Sequence, residues 1–155
     1  MGYRLPVATV GAMRRHVPSQ PLFLEHQDAL ECALRLRRAI HLGSADRRAE
    51  GEAFVEFAST HLEPHFADEE ALLARAMVEI EPAELLRAAH ARMVEDHRVL
   101  AAAIDRLCDA STAPSGEELY AVGSVLTDHV YFERRQLVML LHHELQAVLA
   151  DDAAR

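Results

Sequence analysis

The apolar residues of this chain recur every three to four positions over four long segments, as they do on the buried face of a helix. Short stretches that contain Gly, Pro or Ser separate these segments. The pattern therefore predicts four helices. They run from Ser19 to Gly43, from about Asp46 to about Val78, from Glu81 to about Asp109, and from Ser115 to about Leu149.

Some of the predicted boundaries carry familiar helix-end signals. Ser19 is a predicted N-cap of the first helix, and Gly43 is a predicted C-cap. Ser115 and Glu118 have the spacing of a capping box at the start of the fourth helix. Pro64 lacks a backbone N–H group and therefore predicts a kink within the second helix.

Four helices joined by short loops favour an all-α fold, an up-down-up-down four-helix bundle. The bundle is predicted to span residues 19–150, with residues 1–18 as a short N-terminal arm. A length of 155 residues and a hydrophobic content of 50% are sufficient for one domain with a substantial core.

Charge and hydropathy narrow the expected partners and location. The net charge of −9 disfavours a nucleic-acid partner, because a phosphate backbone needs a basic surface. Neither a membrane span nor a convincing signal peptide is present, so we expect a cytoplasmic protein with no membrane partner. Cys32 and Cys108 form no CxxC pair and are predicted to be buried, reduced thiols.

A histidine and a glutamate four residues apart occur in both "HFADEE" and "HVYFER". The pairs are His65 with Glu69 and His129 with Glu133. Residues at i and i+4 share one face of a helix, so each pair can present an imidazole and a carboxylate to the same point. About one such spacing is expected by chance in a chain with this many histidines, so the placement of the pairs must decide their meaning.

Placement along the helices brings two further histidines to the same level. With a rise of about 1.5 Å per residue, His26 in the first helix and His97 in the third fall in one layer with His65 and His129. His26, His97 and His129 lie among apolar residues of their helices and should point inward. A lone core histidine usually pairs with a nearby carboxylate, but four imidazoles and two carboxylates in one layer favour a pair of divalent cations.

The sequence also predicts two helical hairpins that share one pattern of histidine and glutamate positions. "LEHQDALECAL" resembles "EDHRVLAAAI", and "HFADE" resembles "HVYFE", so each hairpin supplies one histidine and then one HxxxE pair. This correspondence selects His97 rather than His90, which would lie about 8 Å from the level of His65.

The segments "FLEHQDAL", "FVEFASTHLEPHFADEEALL", "MVEDHRVL" and "LTDHVYFERRQL" resemble the hemerythrin-like, or HHE cation-binding, proteins from residue 20 to about 145. The resemblance implies a four-helix bundle with a non-haem di-iron centre bridged by an oxo or hydroxo group. Manganese or zinc would also suit nitrogen and oxygen ligands. The implied terminal ligands are His26, His65, His97 and His129, and the implied bridging ligands are Glu69 and Glu133.

The chain departs from the oxygen-carrying hemerythrins at one point. Their third helix supplies an HxxxH pair, whereas Met93 and Ala101 stand four residues from His97 here. His61 lies one turn before His65 and could substitute or support a ligand, although a packing or surface role is favoured. A packing or surface role is also predicted for His90, and no role is assigned to Tyr131. Solvent-facing positions are predicted for the histidines near the helix ends, which are His16, His41, His142 and His143.

Two classes of function follow from a di-iron centre, and a third does without the metal. The first class is a protein that binds, senses or stores dioxygen, nitric oxide or iron. The second is an enzyme, either a di-iron oxidoreductase or an iron–sulfur repair protein acting on peroxide or nitric oxide. The third is a metal-free helical interaction protein. In the first two, the partner is a small diatomic or peroxide ligand, and whether catalysis occurs is left open.

Overall fold

A computed structural model describes residues 21–79, 84–109 and 111–143. These ranges form four helices and no strand, which confirms the predicted all-α four-helix bundle. No helix within them is long and apolar enough to cross a membrane. The first helix, α1, is Pro21–Arg38 and ends in a 3₁₀ turn at Ala39–His41, and the third, α3, is Glu84–Asp109. The second, α2, consists of Ser44–Phe57 and Glu63–Glu79, which a π turn at Ala58–Leu62 joins. The fourth, α4, is Gly116–Phe132, followed by a π turn at Glu133–Leu137 and further helix at 138–143.

The junction between α1 and α2 differs from the prediction. Gly43 is not a C-cap: its backbone is extended, with φ −70° and ψ 166°, and it stands as the N-cap of α2, which begins at Ser44. The chain leaves the first helix earlier, because the N–H of Leu42 donates to the carbonyl of Ala39 and closes a 3₁₀ turn. That turn needs no left-handed residue, so glycine has no C-capping role here. The predicted N-cap Ser19 lies outside the described residues.

The start of α4 follows the sequence signal. The Ser115 hydroxyl accepts a hydrogen bond from the N–H of Glu118 at 3.0 Å, so the predicted N-cap is confirmed. The Glu118 carboxylate lies 3.9 Å from Nε of Arg106 on α3 and helps to join the two helices.

Near Pro64, where a kink was predicted, α2 contains a π turn that ends two residues before the proline. In this turn the N–H of Glu63 donates to the carbonyl of Ala58, five residues back. A second π turn begins at Glu133 in α4, where the N–H of Val138 donates to the Glu133 carbonyl. One extra residue per turn changes the direction of the following side chains, and such turns are frequent at functional sites.

Two apolar clusters fill the bundle and are separated by a polar layer. One cluster includes Leu36, Phe54, Leu100 and Leu126, and the other includes Leu73, Leu86, Met93, Phe132 and Leu137. Along the chain, Glu69 on α2 and His97 on α3 lie between members of the two clusters, and on α4 the change from one cluster to the other falls between His129 and Glu133. The apolar residues therefore hold the helices on both sides of the layer.

The first and fourth helices pack closely at Gly123. A Cβ atom built on this residue would lie 2.6 Å from the carbonyl oxygen of Ala33 and 3.0 Å from Cβ of Leu36. Only glycine allows the backbones of α1 and α4 to approach in this way.

The two cysteines differ in burial. Cys32 is buried as predicted, and its burial raises the pKa of the thiol against the opposing effect of Arg35. Cys108 is exposed, so its predicted burial is wrong. The inward stripe of α3 passes through Ile104 and the half-buried Leu107, and Cys108 lies beside that stripe, one residue before the helix ends.

Candidate metal centre

Each helix contributes one histidine to the polar layer, and α2 and α4 each add a glutamate from the next turn. Five of the six predicted residues are buried, and His65 is partly exposed. The structure thus brings together all six side chains selected from the sequence, which are His26, His65, Glu69, His97, His129 and Glu133.

The six side chains form two overlapping sets of possible metal ligands. In each set, one ligand atom from every residue lies within 4.8 Å of the others. Glu69 and Glu133 belong to both sets, whereas each histidine belongs to one. Two cations that share two carboxylates would match this arrangement. The sets are His26, His65, Glu69 and Glu133, and Glu69, His97, His129 and Glu133.

All four imidazoles direct Nε2 toward the glutamates. Nε2 of His26 lies 3.1 Å from Oε2 of Glu133, and Nε2 of His129 lies 3.0 Å from Oε1 of the same carboxylate. His65 Nε2 lies 3.1 Å from Oε1 of Glu69. His97 Nε2 stands farther away, 3.6 Å from Oε2 of Glu69 and 3.7 Å from Oε1 of Glu133.

Several of these inward-facing atoms lack hydrogen bonds. The buried atoms His26 Nε2, His97 Nε2, His129 Nε2, Glu69 Oε2 and both carboxylate oxygens of Glu133 make none with the described residues. Burial of polar atoms without partners is unfavourable, and it is rare for so many to face one point. Cations would satisfy them together, and nitrogen and carboxylate donors suit iron, zinc and manganese. The donor set therefore fits a pair of such ions.

Glu133 and His97 are the two residues of the layer whose pKa values are clearly shifted. Burial favours the neutral form of Glu133, but contacts with His129, His26 and His97 outweigh it and hold the pKa of this carboxyl well below its usual range. Burial likewise favours neutral His97, yet contacts with Glu133, Glu69 and Glu70 raise the pKa of this imidazole to about 9. In the metal-free chain His97 is a cation at neutral pH, and a metal bound at its Nε2 must replace a proton.

An aromatic side chain between two histidines helps to fix their rings. Phe66 stacks on His97 with the ring centroids 4.0 Å apart and an interplanar angle of 15°. It also meets His129 edge-on at 5.5 Å. Phe66 is buried and belongs to the first apolar cluster, so its ring connects that cluster to the layer.

Two outer carboxylates were missed by the sequence analysis. Glu70 accepts a hydrogen bond from Nδ1 of His97 at 2.8 Å, and Oδ2 of Asp96 lies 3.6 Å from Nδ1 of His129. Both residues are sequence neighbours of predicted ligands, in "ADEE" and "EDH". That adjacency was the available signal, but the sequence does not show which histidine on another helix each carboxylate faces.

A small cavity borders the layer between α1, α2 and α4. Its volume is about 10 Å³, and its lining includes His26, His65, His129 and Glu133. This volume is about that needed for one water molecule. His61 also lines the cavity but belongs to neither ligand set. The exposed His61 ring stacks on Phe57 at 5.0 Å.

The remaining histidines lie apart from the six-residue cluster. His90 is half-buried on α3, and His41, His142 and His143 are exposed, as the sequence predicted. Tyr131 is also exposed. The predicted surface residue His16 lies outside the described residues.

Comparison with known protein families identifies one match. The family model described as "Hemerythrin HHE cation binding domain" matches residues 17–141, which include all six residues of the cluster. No match was found among curated proteins or among solved structures.

Proposed function

Because the chain belongs to the family of hemerythrin HHE cation-binding domains, we propose that its six-residue cluster holds two iron ions and binds or senses a small redox-active ligand. Dioxygen and nitric oxide are the ligands of this kind that we consider first. The observation that carries the proposal is the sharing of Glu69 and Glu133 by two sets of buried, inward-facing donors.

The proposed roles follow from the position of each donor. His26 and His65 would hold one ion through Nε2, and His97 and His129 would hold the other, while the two glutamates bridge them. The Glu133 carboxylate is central to this arrangement, because it lies 3.1 Å from His26 of one set and 3.0 Å from His129 of the other. When bound, the iron pair supplies reversible changes of oxidation state and open coordination positions.

The surroundings favour a small ligand. The cavity beside His26 and His65 has room for about one water-sized molecule, which suits a diatomic ligand better than an organic substrate. Phe66 and the two apolar clusters exclude bulk water from the rest of the layer. Exclusion of water strengthens electrostatic interactions with any ligand that enters and limits side reactions.

Metal analysis and optical spectroscopy test the proposal together. The protein is loaded anaerobically with ferrous iron, freed of excess metal and analysed for iron per chain; an absorption spectrum is then recorded after air is admitted. We expect two irons per chain and near-ultraviolet absorption from a bridged ferric pair. Bands that reverse when oxygen is removed favour binding or sensing, whereas irreversible oxidation favours the oxidoreductase alternative.

Variants connect the metal content to the proposed ligands. His65→Ala and Glu133→Ala should each lose at least one iron, because each removes a donor from the cluster. His90→Ala is the matched control, since it also removes a histidine that is not fully exposed but lies outside both ligand sets. Full iron occupancy in both ligand variants would contradict the proposed site, and an unmodified chain without metal would contradict the proposed function.

A further inference from the structure

Glu70 joins α2 to the histidine on α3. Its Oε1 accepts a hydrogen bond of 2.8 Å from Nδ1 of His97, which is 27 residues away in the sequence. A carboxylate accepts hydrogen bonds but does not donate them when ionised, so Nδ1 carries the proton of this bond. In the neutral imidazole the lone pair is then on Nε2, which faces Glu69 and Glu133.

The same ring is held on a second side. Phe66 stacks against the face of the His97 ring at 4.0 Å, while Glu70 holds its outer edge. The His97 side chain is 4% exposed and that of Glu70 is 41% exposed. Glu70 therefore keeps much of its hydration while it orients a buried imidazole, so this contact avoids the cost of burying a second full charge.

A related arrangement lies behind the histidine on α4. Oδ2 of Asp96 lies 3.6 Å from Nδ1 of His129, and Nε of Arg92 lies 3.7 Å from the same oxygen. The Arg92 guanidinium also lies 4.0 Å from the centroid of the Phe132 ring. Both histidines of the ligand set formed by Glu69, His97, His129 and Glu133 thus face a carboxylate at their outer nitrogen.

We propose that Glu70 is a positioning residue for His97 and that its contact strengthens metal binding at the position formed by His97 and His129. This inference rests on the proposed function, since it concerns ions held by the same six residues. A fixed ring orientation and tautomer reduce the freedom that His97 must lose on binding, and the outer carboxylate makes the imidazole a better donor. Substitution of such an outer partner typically weakens metal binding about 10- to 100-fold.

Zinc affinity measured by chelator competition in two backgrounds tests whether Glu70 acts on this position and not on the other. His26→Ala leaves the ligand set that contains His97 and His129 complete. His129→Ala leaves the set that contains His26 and His65 complete. We expect Glu70→Ala to weaken zinc binding about 10- to 100-fold in the first background and less than about threefold in the second. Equal losses in both backgrounds, or no loss in the first, would overturn the inference.

Two further variants of the otherwise unmodified chain separate positioning from charge. Glu70→Gln retains an acceptor for Nδ1–H and should weaken zinc binding less than Glu70→Ala. Asp68→Asn removes one negative charge from an exposed residue of the same helix segment and is the matched control, with an expected change of less than about threefold. If Asp68→Asn weakens binding as much as Glu70→Gln does, a general effect of charge replaces the positioning role.

Nuclear magnetic resonance of the zinc-loaded protein gives a readout that a packing defect would not imitate. With ¹⁵N-labelled histidine, the hydrogen-bonded Nδ1–H of His97 should exchange slowly, and its signal should be lost in Glu70→Ala but retained in Asp68→Asn. Retention of the signal in Glu70→Ala would overturn the inference while leaving two-metal binding intact. Absence of zinc binding by the unmodified chain would overturn the proposed function and this inference together.

Discussion

Zinc added to the metal-free protein should raise its melting temperature by about 10–20 °C. Zinc is suitable for this test because it accepts the same nitrogen and oxygen donors as iron without changing oxidation state. The effect depends on a site that exists only in the folded chain. The donors come from all four helices, so unfolding separates them, and the free energy of metal binding becomes free energy of folding.

The size of the shift follows from the number of positions. Two ligand sets accommodate two ions. Each ion present at 100 times its dissociation constant adds about 2.7 kcal/mol to the free energy of unfolding, so two add about 5 kcal/mol. In a protein of this size, 1 kcal/mol raises the melting temperature by about 2–4 °C, which gives the expected range.

Thermal unfolding followed by circular dichroism, at several zinc concentrations and with a chelator as reference, measures the shift. Glu133→Ala should abolish most of it, because that substitution removes a donor from both ligand sets. Asp68→Asn, an exposed change on α2, should preserve it. A melting temperature that does not depend on zinc, or an equal shift in Glu133→Ala, would refute the reasoning that connects this layer to a metal.

Three other outcomes are expected. Gly123→Ala should lower the free energy of unfolding by about 1–3 kcal/mol in urea denaturation, because its Cβ would lie 2.6 Å from the Ala33 carbonyl oxygen. Gly43→Ala places a Cβ in ordinary contact, 4.0 Å from Oδ2 of Asp46, and should cost less than about 1 kcal/mol, the usual effect of alanine at an N-cap. His90→Ala should retain the full zinc content by elemental analysis, and a loss would extend the site along α3. In the metal-free protein, His97 has a pKa raised from 6.5 to about 9, so its contribution to the free energy of unfolding should be complete below about pH 6.5 and lost as the pH rises through about 9. Urea unfolding midpoints measured across that pH range test this expectation, and midpoints that show no such loss would contradict it.

The convergence of six residues was predictable because it depends on two regular quantities. Helical periodicity shows which face of each helix is buried, and the constant rise per residue gives the level of each histidine along the bundle. These quantities brought His26 and His97 to the level of the two HxxxE pairs, and the structure places them there. Whether the six residues bind metal stays a prediction until metal content is measured.

The local form of the helices was less accessible to sequence reasoning. A π turn forms when backbone N–H groups bond to carbonyls five residues back, and nothing in the pattern of Ala58–Leu62 or Glu133–Leu137 distinguishes that choice from a regular helix. Gly43 shows the same limit, since glycine suits the left-handed C-cap that was predicted and also the extended N-cap that is observed.

The outer carboxylates needed information from neighbouring helices. Glu70 and Asp96 are exposed or partly exposed acidic residues like many others in a chain of net charge −9, and their spacing within their own helices has no special feature. Their contacts with His97 and His129 depend on the rotation and axial shift between helices, which side-chain packing determines. A sequence pattern can select a buried ligand, but the partner behind it becomes visible only when the helices are assembled.

The position of the polar layer between two apolar clusters joins stability to function. The clusters supply the hydrophobic burial that can hold the bundle together, while the layer between them contains several buried nitrogen and carboxylate oxygen atoms that make no hydrogen bond with the described residues, among them His26 Nε2, His129 Nε2 and both carboxylate oxygens of Glu133. A core built for stability alone would fill this layer with apolar side chains, as substitutions of buried ion pairs in other proteins show. Because these atoms come from all four helices and belong to two overlapping ligand sets, a pair of cations would recover the cost of burying them and would also fix the arrangement of the helices.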